Sequence, residues 1–101
     1  MHFDDELRRA IESKSQIRIN YENKGHRIVC PHVMYISSAG NKNLDAYQMS
    51  GYSETSSNIP GWREFCLAKI TELTVLNDSF EAANKYNPDN RERYVTIIER
   101  I

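Results

Sequence analysis

Short runs in which apolar and polar residues alternate predict antiparallel strands across the middle of the chain. Ile17 and Ile19 mark the first run, and the turn-forming residues 23–25 separate it from a second predicted strand over 26–36. Pro31 lies inside this second strand. Because proline cannot donate a hydrogen bond to a neighbouring strand, we expect a bulge or an edge position there.

Two further strand-like runs flank a polar connection over 51–61, which is longer than a simple hairpin needs. The strand before it is predicted over 43–49, and the strand after it over 62 to about 76, with a bend near Thr71. Long ordered loops in compact domains usually carry function or move. We therefore interpret the connection as the rim of a ligand site and expect it to close over the ligand.

Helical spacing of apolar residues marks both ends of the chain. A helix is predicted over about residues 3–13, where acidic residues in the first turn complement the helix dipole. A second helix is predicted over about residues 88–101, with Asn87 as its N-cap and Pro88 in its first position. The chain is thus expected to be mainly β with flanking helices, as a small barrel or a sheet wrapped by helices.

Length and hydropathy restrict the class of protein. The 101 residues allow one domain, and no apolar run approaches the roughly 18 residues that a membrane span needs. The first ten residues are too acidic and polar for a signal peptide. We expect a cytoplasmic protein in which Cys30 and Cys66 are reduced and buried. A disulfide bridge between these two cysteines is the open alternative.

The charge of the chain is small but unevenly distributed. Its formal net charge is −1, whereas residues 14–69 hold seven basic and four acidic side chains, a net +3, and both ends are acidic. A mildly basic centre suits local capture of an anion better than non-specific binding along a duplex.

Three segments resemble the WYL domain family: residues 27–32 (RIVCPH), 44–48 (LDAYQ) and 62–65 (WREF), followed by Lys69-Ile70. The resemblance covers about residues 10–80, and the sequence YNPD near the C-terminus is similar to the tail of short, free-standing members. It implies an Sm-like β-barrel, a fold usually found in bacterial transcription regulators behind a winged-helix domain. It also implies a ligand-sensing role, with single-stranded nucleic acid or nucleotide-like signals among the ligands.

The chain departs from the pattern that names the family. The positions of Trp, Tyr and Leu are occupied by Lys42, Asn43 and Leu44, so only the leucine is kept. We expect residues 1–101 to form a single WYL-like domain, with the barrel over about 15–77 and a C-terminal tail and helix over 78–101. The chain has no room for a winged helix, so it would bind or sense without its own duplex-reading module.

Two arginines match basic positions of the family. Arg27 and Arg63 offer planar guanidinium groups that bind phosphate in a bidentate manner, which suits a nucleotide or an oligonucleotide backbone. The alternative is a pair of solvated or salt-bridged arginines, for example with Glu22 or Glu64.

The other candidate ligand-binding residues have structural alternatives as well. His32 could bind an anion or hold Tyr47, although a lone strand histidine is more often a structural hydrogen-bonding group. Aromatic rings can stack on bases, but strand aromatics more commonly pack in a core. Gln48 could read a base edge, but we favour a role in holding the loop. The full candidate set is Arg27, His32, Tyr47, Gln48, Tyr52, Trp62 and Arg63, and we expect the two arginines and the Tyr47 phenol to meet in one open hollow.

No enzyme signature is evident, so the chain is expected to be non-enzymatic, without metal or cofactor. The cysteines lack a partnered base, and no histidine–cysteine spacing fits a zinc site. The expected partner is single-stranded nucleic acid or a nucleotide-like anion. The alternative is a protein–protein or dimerisation module that acts as an accessory subunit, because strand edges on so small a barrel invite pairing.

Overall fold

A computed structural model of the protein describes residues 3–52, 60–83, 86 and 94–101. One helix precedes six strands, and a short 3₁₀ turn, Leu67–Lys69, joins the fourth strand to the fifth. The elements are α1 (Asp4–Ser13), β1 (Ser15–Tyr21), β2 (His26–Ile36), β3 (Lys42–Gly51), β4 (Gly61–Cys66), β5 (Ile70–Ser79) and β6 (Thr96–Arg100).

The predicted N-terminal helix is confirmed as α1. Its apolar stripe places Leu7, Ala10 and Ile11 in the core, each with no exposed surface. Burying a leucine or isoleucine side chain of this kind contributes about 1.5–3 kcal/mol. The helix ends at Ser13, and the next residue, Lys14, adopts the left-handed conformation with φ 53° and donates its backbone N–H to the Ile11 carbonyl.

All strand pairs are antiparallel, in the order β4-β3-β2-β1-β5, and β6 pairs with the second half of β2. The sheet is strongly curled: the Tyr21 ring of β1 lies 5.0 Å from the Phe65 ring of β4, although two strands separate them in the sheet. The Cys66 N–H also donates to the Tyr21 hydroxyl at 2.9 Å. The mainly β architecture is confirmed, whereas β4 and β5 do not pair within the described residues, so a closed Sm-like barrel is not confirmed.

Two predictions about secondary structure are corrected. The long fourth strand is two strands, because the 3₁₀ turn at 67–69 interrupts it. The prediction of a C-terminal helix is wrong over 96–100. There β6 lies against β2, with Tyr35 opposite Ile97 and Ile36 opposite Thr96. β-branched residues fit a pleated surface. This half of β2 also offers an edge that β1 does not cover. The proposed helix start at residues 87–89 lies outside the described residues.

The bulge expected at Pro31 is confirmed, and it divides the sheet surface. Pro31 lies opposite Ala46 and Val33 opposite Asp45, so β2 holds one extra residue, His32, at this point. We call the sheet face that carries Ala46 and packs on α1 the inner face. The face that carries Asp45 is the outer face. Two packed clusters follow, a large one on the inner face and a small one around Val33 on the outer face.

Candidate ligand site

Arg27 lies at one end of the inner face, among aromatic rings. Its guanidinium carbon is 5.4 Å from the Tyr21 ring, 5.2 Å from Tyr52 and 5.4 Å from Phe65. These four residues form what we call the arginine–aromatic cluster. Each cation–π contact contributes about 0.5–2 kcal/mol, depending on how far the pair is desolvated. Because only 7% of Arg27 is exposed, its charge is fixed in place.

The backbone and Gln48 hold Tyr52 at the rim of this cluster. Gln48 is fully buried, and its Nε2 donates to the carbonyls of Tyr52, at 2.8 Å, and Ser50, at 3.3 Å. The Tyr52 N–H donates to the His26 carbonyl at 2.9 Å. Tyr52 itself is 36% exposed. The loop-holding role favoured for Gln48 therefore agrees with its hydrogen bonds, and one ring of the cluster faces solvent.

Arg63 shares the inner face with Arg27. On β4 it lies opposite Ala46, two residues from Phe65, so its Cα is about 7 Å from that of Phe65 along the strand. Its Nη1 donates to the Trp62 carbonyl at 2.8 Å, and its side chain is partly exposed. Two guanidinium groups thus lie on the same side of the sheet, one buried over Phe65 and one reaching solvent.

His32, Tyr47 and Trp62 lie on the outer face. The His32 ring is 4.7 Å from Trp62, 5.1 Å from Phe80 and 5.1 Å from Tyr86. Trp62 in turn meets the Tyr47 ring edge-on at 5.7 Å. Phe80 folds back onto the sheet against His32, and the aromatic side chains on this face pack against one another.

The hydrogen bonds of His32 define its protonation state. The Ala83 N–H donates to Nε2 at 3.0 Å, so Nε2 is an acceptor and the ring proton resides on Nδ1, which donates to the Cys30 carbonyl at 2.7 Å. Burial lowers the pKa of the His32 imidazole and outweighs this hydrogen bond and the charge of Asp45, which act to raise it. His32 is thus a neutral clamp on the segment that contains Ala83.

The expectation that both arginines and the Tyr47 phenol meet in one hollow is wrong. Adjacent residues of a strand point to opposite faces, and the register puts Arg63 opposite Ala46 but Trp62 opposite Tyr47. The seven candidates divide into an inner group of Arg27, Gln48, Tyr52 and Arg63 and an outer group of His32, Tyr47 and Trp62. Loop closure over a ligand concerns residues 53–59, which lie outside the described residues.

Sequence reasoning missed the rings that hold Arg27. Tyr21 ends the first alternating run, which places it near the inner face, but its contact with Phe65 depends on the curl of the sheet. It also missed a buried polar network on the outer face, in which the Tyr35 and Tyr94 hydroxyls donate to Asp45 at 3.1 and 2.7 Å. Tyr35 also hydrogen-bonds Glu64. No local pattern links these residues.

Both cysteines are free thiols, and burial raises the pKa of Cys30 to about 11. Within the described ranges, no three His, Cys, Asp or Glu side chains are grouped so as to hold a metal ion. In the same part of the chain, no helix has the length and apolar character needed to cross a membrane.

Comparison with solved structures shows a likeness to a much longer protein, the proteasome accessory factor B/C (PafBC) of Arthrobacter aurescens. The two superpose with a TM-score of 0.66 at 23% sequence identity, over 83% of this chain and 13% of PafBC. No family model matches the chain, and a search of curated proteins finds no relative. The chain therefore spans only a small part of the protein that it resembles, and the likeness supports a WYL-like fold.

Proposed function

We propose that the chain is a regulatory module of the WYL type that binds single-stranded nucleic acid or a nucleotide-like anion on the inner face. The likeness to part of PafBC supports a WYL-type module, for which an Sm-like barrel and a cytoplasmic place of action are the natural assignments. The observation that carries the ligand proposal is the position of Arg27, whose charge is fixed among three rings on the face that also carries Arg63.

The two arginines have different tasks in this proposal. Arg27 is buried and supplies a fixed positive charge. A phosphate about 7 Å from it gains roughly 2 kcal/mol at an effective dielectric constant of 20. Arg63 is partly exposed and forms the direct hydrogen bonds to phosphate. Tyr52 offers an exposed ring for a base to stack on. His32, Tyr47 and Trp62 lie on the other face and have no part in this site.

The direct test is the binding of a fluorescent eight-nucleotide oligothymidylate and of mononucleotides at two salt concentrations. Arg63→Ala is expected to weaken oligonucleotide binding roughly 10- to 100-fold, the effect of losing a charge-assisted hydrogen bond. It should also reduce the salt dependence by about 0.7 in the slope of log K against log salt. Arg18→Ala is the matched control, because Arg18 is an exposed arginine on the outer face of β1.

Tyr52 gives a second test that does not remove a charge. Tyr52→Ala should lose the stacking of one base, about 1–3 kcal/mol, whereas Tyr52→Phe should bind as the parent does. The proposal fails if, at low salt, Arg63→Ala binds the oligonucleotide as tightly as the parent protein and the control variant Arg18→Ala do.

A second candidate function is dimerisation through the outer edge of β5. Among the described residues β5 pairs with β1 alone, and Val75 on it is 41% exposed. Exposed strand edges pair readily with a second copy. Light scattering would then show a dimer that Val75→Lys converts to a monomer, and a wild-type chain that stays monomeric at high concentration would exclude this function.

A further inference from the structure

The outer face holds a pocket of about 330 Å³ between the sheet and residues 79–83. This volume is at the lower end of the roughly 300–1,000 Å³ of small-molecule sites. The pocket opens on the side of the sheet opposite the arginine–aromatic cluster. Its lining residues are Gln16, Cys30, Tyr47, Met49, Ser79, Phe80, Glu81 and Ala83.

The pocket is held open by hydrogen bonds on both sides of the 79–83 segment. The Phe80 N–H donates to the Lys14 carbonyl at 3.0 Å, and the Ala83 N–H donates to His32 Nε2 at 3.0 Å. Gln16 Nε2 adds a third bond, to the Ser79 carbonyl at 3.2 Å. A wall fixed at three points loses little conformational freedom when a ligand binds, so the pocket is pre-organised.

The lining combines apolar surface with one negative charge. The rings of Tyr47 and Phe80 and the thioether of Met49 offer aromatic and polarisable contacts. Cys30 stays a neutral thiol near pH 7, because burial raises its pKa to about 11. The lining contains Glu81 but neither lysine nor arginine. Glu81 forms no ion pair within the described residues. An anion would therefore meet an unfavourable charge here.

We propose that this pocket binds a small molecule that carries one aromatic ring system and a cationic amine. The ring packs against Tyr47, Phe80 and Met49, and the ammonium group lies at Glu81. This site is independent of the nucleic-acid site proposed above, because it lies on the opposite face and selects the opposite charge.

The test uses three probes with the same ring: tryptamine, which is cationic, indole, which is neutral, and indole-3-acetate, which is anionic. Binding to the full chain is followed by amide NMR spectroscopy. The backbone amides of Cys30 and Ala83 report on the pocket, while that of Cys66, which does not line it, serves as the internal reference. Tryptamine should shift the Cys30 and Ala83 amide signals in a saturable manner without shifting that of Cys66, and indole-3-acetate should bind at least fivefold more weakly.

Substitution of the carboxylate separates the charge from the pocket shape. Glu81→Gln should weaken tryptamine binding about two- to fivefold, as expected for a partly exposed ion pair, and leave indole binding unchanged. Glu12→Gln, on the exposed side of α1, is the matched control and should change neither tryptamine binding nor indole binding. The proposal is overturned if tryptamine gives no saturable shift of the Cys30 and Ala83 amide signals, if indole-3-acetate binds as tightly as tryptamine, or if Glu81→Gln leaves tryptamine binding unchanged.

Discussion

Removing the Tyr94 hydroxyl should measure how firmly the C-terminal segment is attached to the sheet. Tyr94 is 8% exposed, and its hydroxyl donates to Asp45 Oδ2 at 2.7 Å. Tyr94→Phe deletes this bond and keeps the edge-on packing of the ring against Tyr35, at 4.7 Å between ring centres. A hydrogen bond to a buried carboxylate contributes about 1.5–3 kcal/mol. For a domain of this size, a loss of about 2 kcal/mol lowers the Tm by roughly 8–16 °C.

Urea denaturation gives the free energy of unfolding, and thermal melting followed by circular dichroism gives the Tm. Tyr47→Phe is the matched control, because Tyr47 is a partly buried tyrosine of the same face whose hydroxyl forms no hydrogen bond within the described residues. It should change stability by less than about 0.5 kcal/mol. If Tyr94→Phe is as stable as this control, the hydroxyl does not anchor the segment and the reasoning is refuted.

Two further predictions concern His32 and the glycines. Because burial lowers the pKa of His32 in the folded state, the unfolded state binds more protons, and the free energy of unfolding should decrease as the pH falls below about 6.5. The His32→Gln variant should show a smaller decrease over the same range, and an identical pH profile would contradict this. Gly51 has φ +101°, and a Cβ there would lie 2.7 Å from the Arg27 Cα, so Gly51→Ala should destabilise the fold by more than Gly40→Ala. At Gly40 the added Cβ meets open space, so only the cost of a positive φ, about 1–2 kcal/mol, applies. If the two variants lose the same free energy of unfolding in denaturation, the steric argument is refuted.

Local chemistry explains which parts of the fold could be predicted. The bounds of β2 follow from the alternation of apolar and polar residues and from the glycine-containing turn before it. In the structure β2 begins and ends at the predicted residues, His26 and Ile36. The bulge follows from the missing N–H of Pro31 alone. Tyr47 lies on the opposite sheet face from Leu44 and Ala46, as follows from the two-residue period of a strand. Each of these inferences needs only neighbouring residues.

The errors arose where the answer depends on distant contacts. The site prediction expected the two arginines and the Tyr47 phenol to meet in one hollow, but the register of β3 and β4 places Tyr47 and Arg63 on opposite faces of the sheet. The burial of Arg27 depends on the curl that brings Tyr21 to Phe65. At the C-terminus, four apolar residues fitted a helical stripe, and only the free edge of β2 makes a strand the better solution.

The extra residue in β2 has a consequence for how related chains can differ in length. Deleting His32 would place Val33 directly after Pro31 and restore simple alternation, so Met34 would still point towards α1 and Tyr35 away from it. A relative that lacks one residue here should therefore keep the same hydrophobic alternation downstream and lose only the bulge and the imidazole that binds the Ala83 N–H. A gap in an alignment at this point would report a missing clamp on the 79–83 segment and not a reversed strand surface.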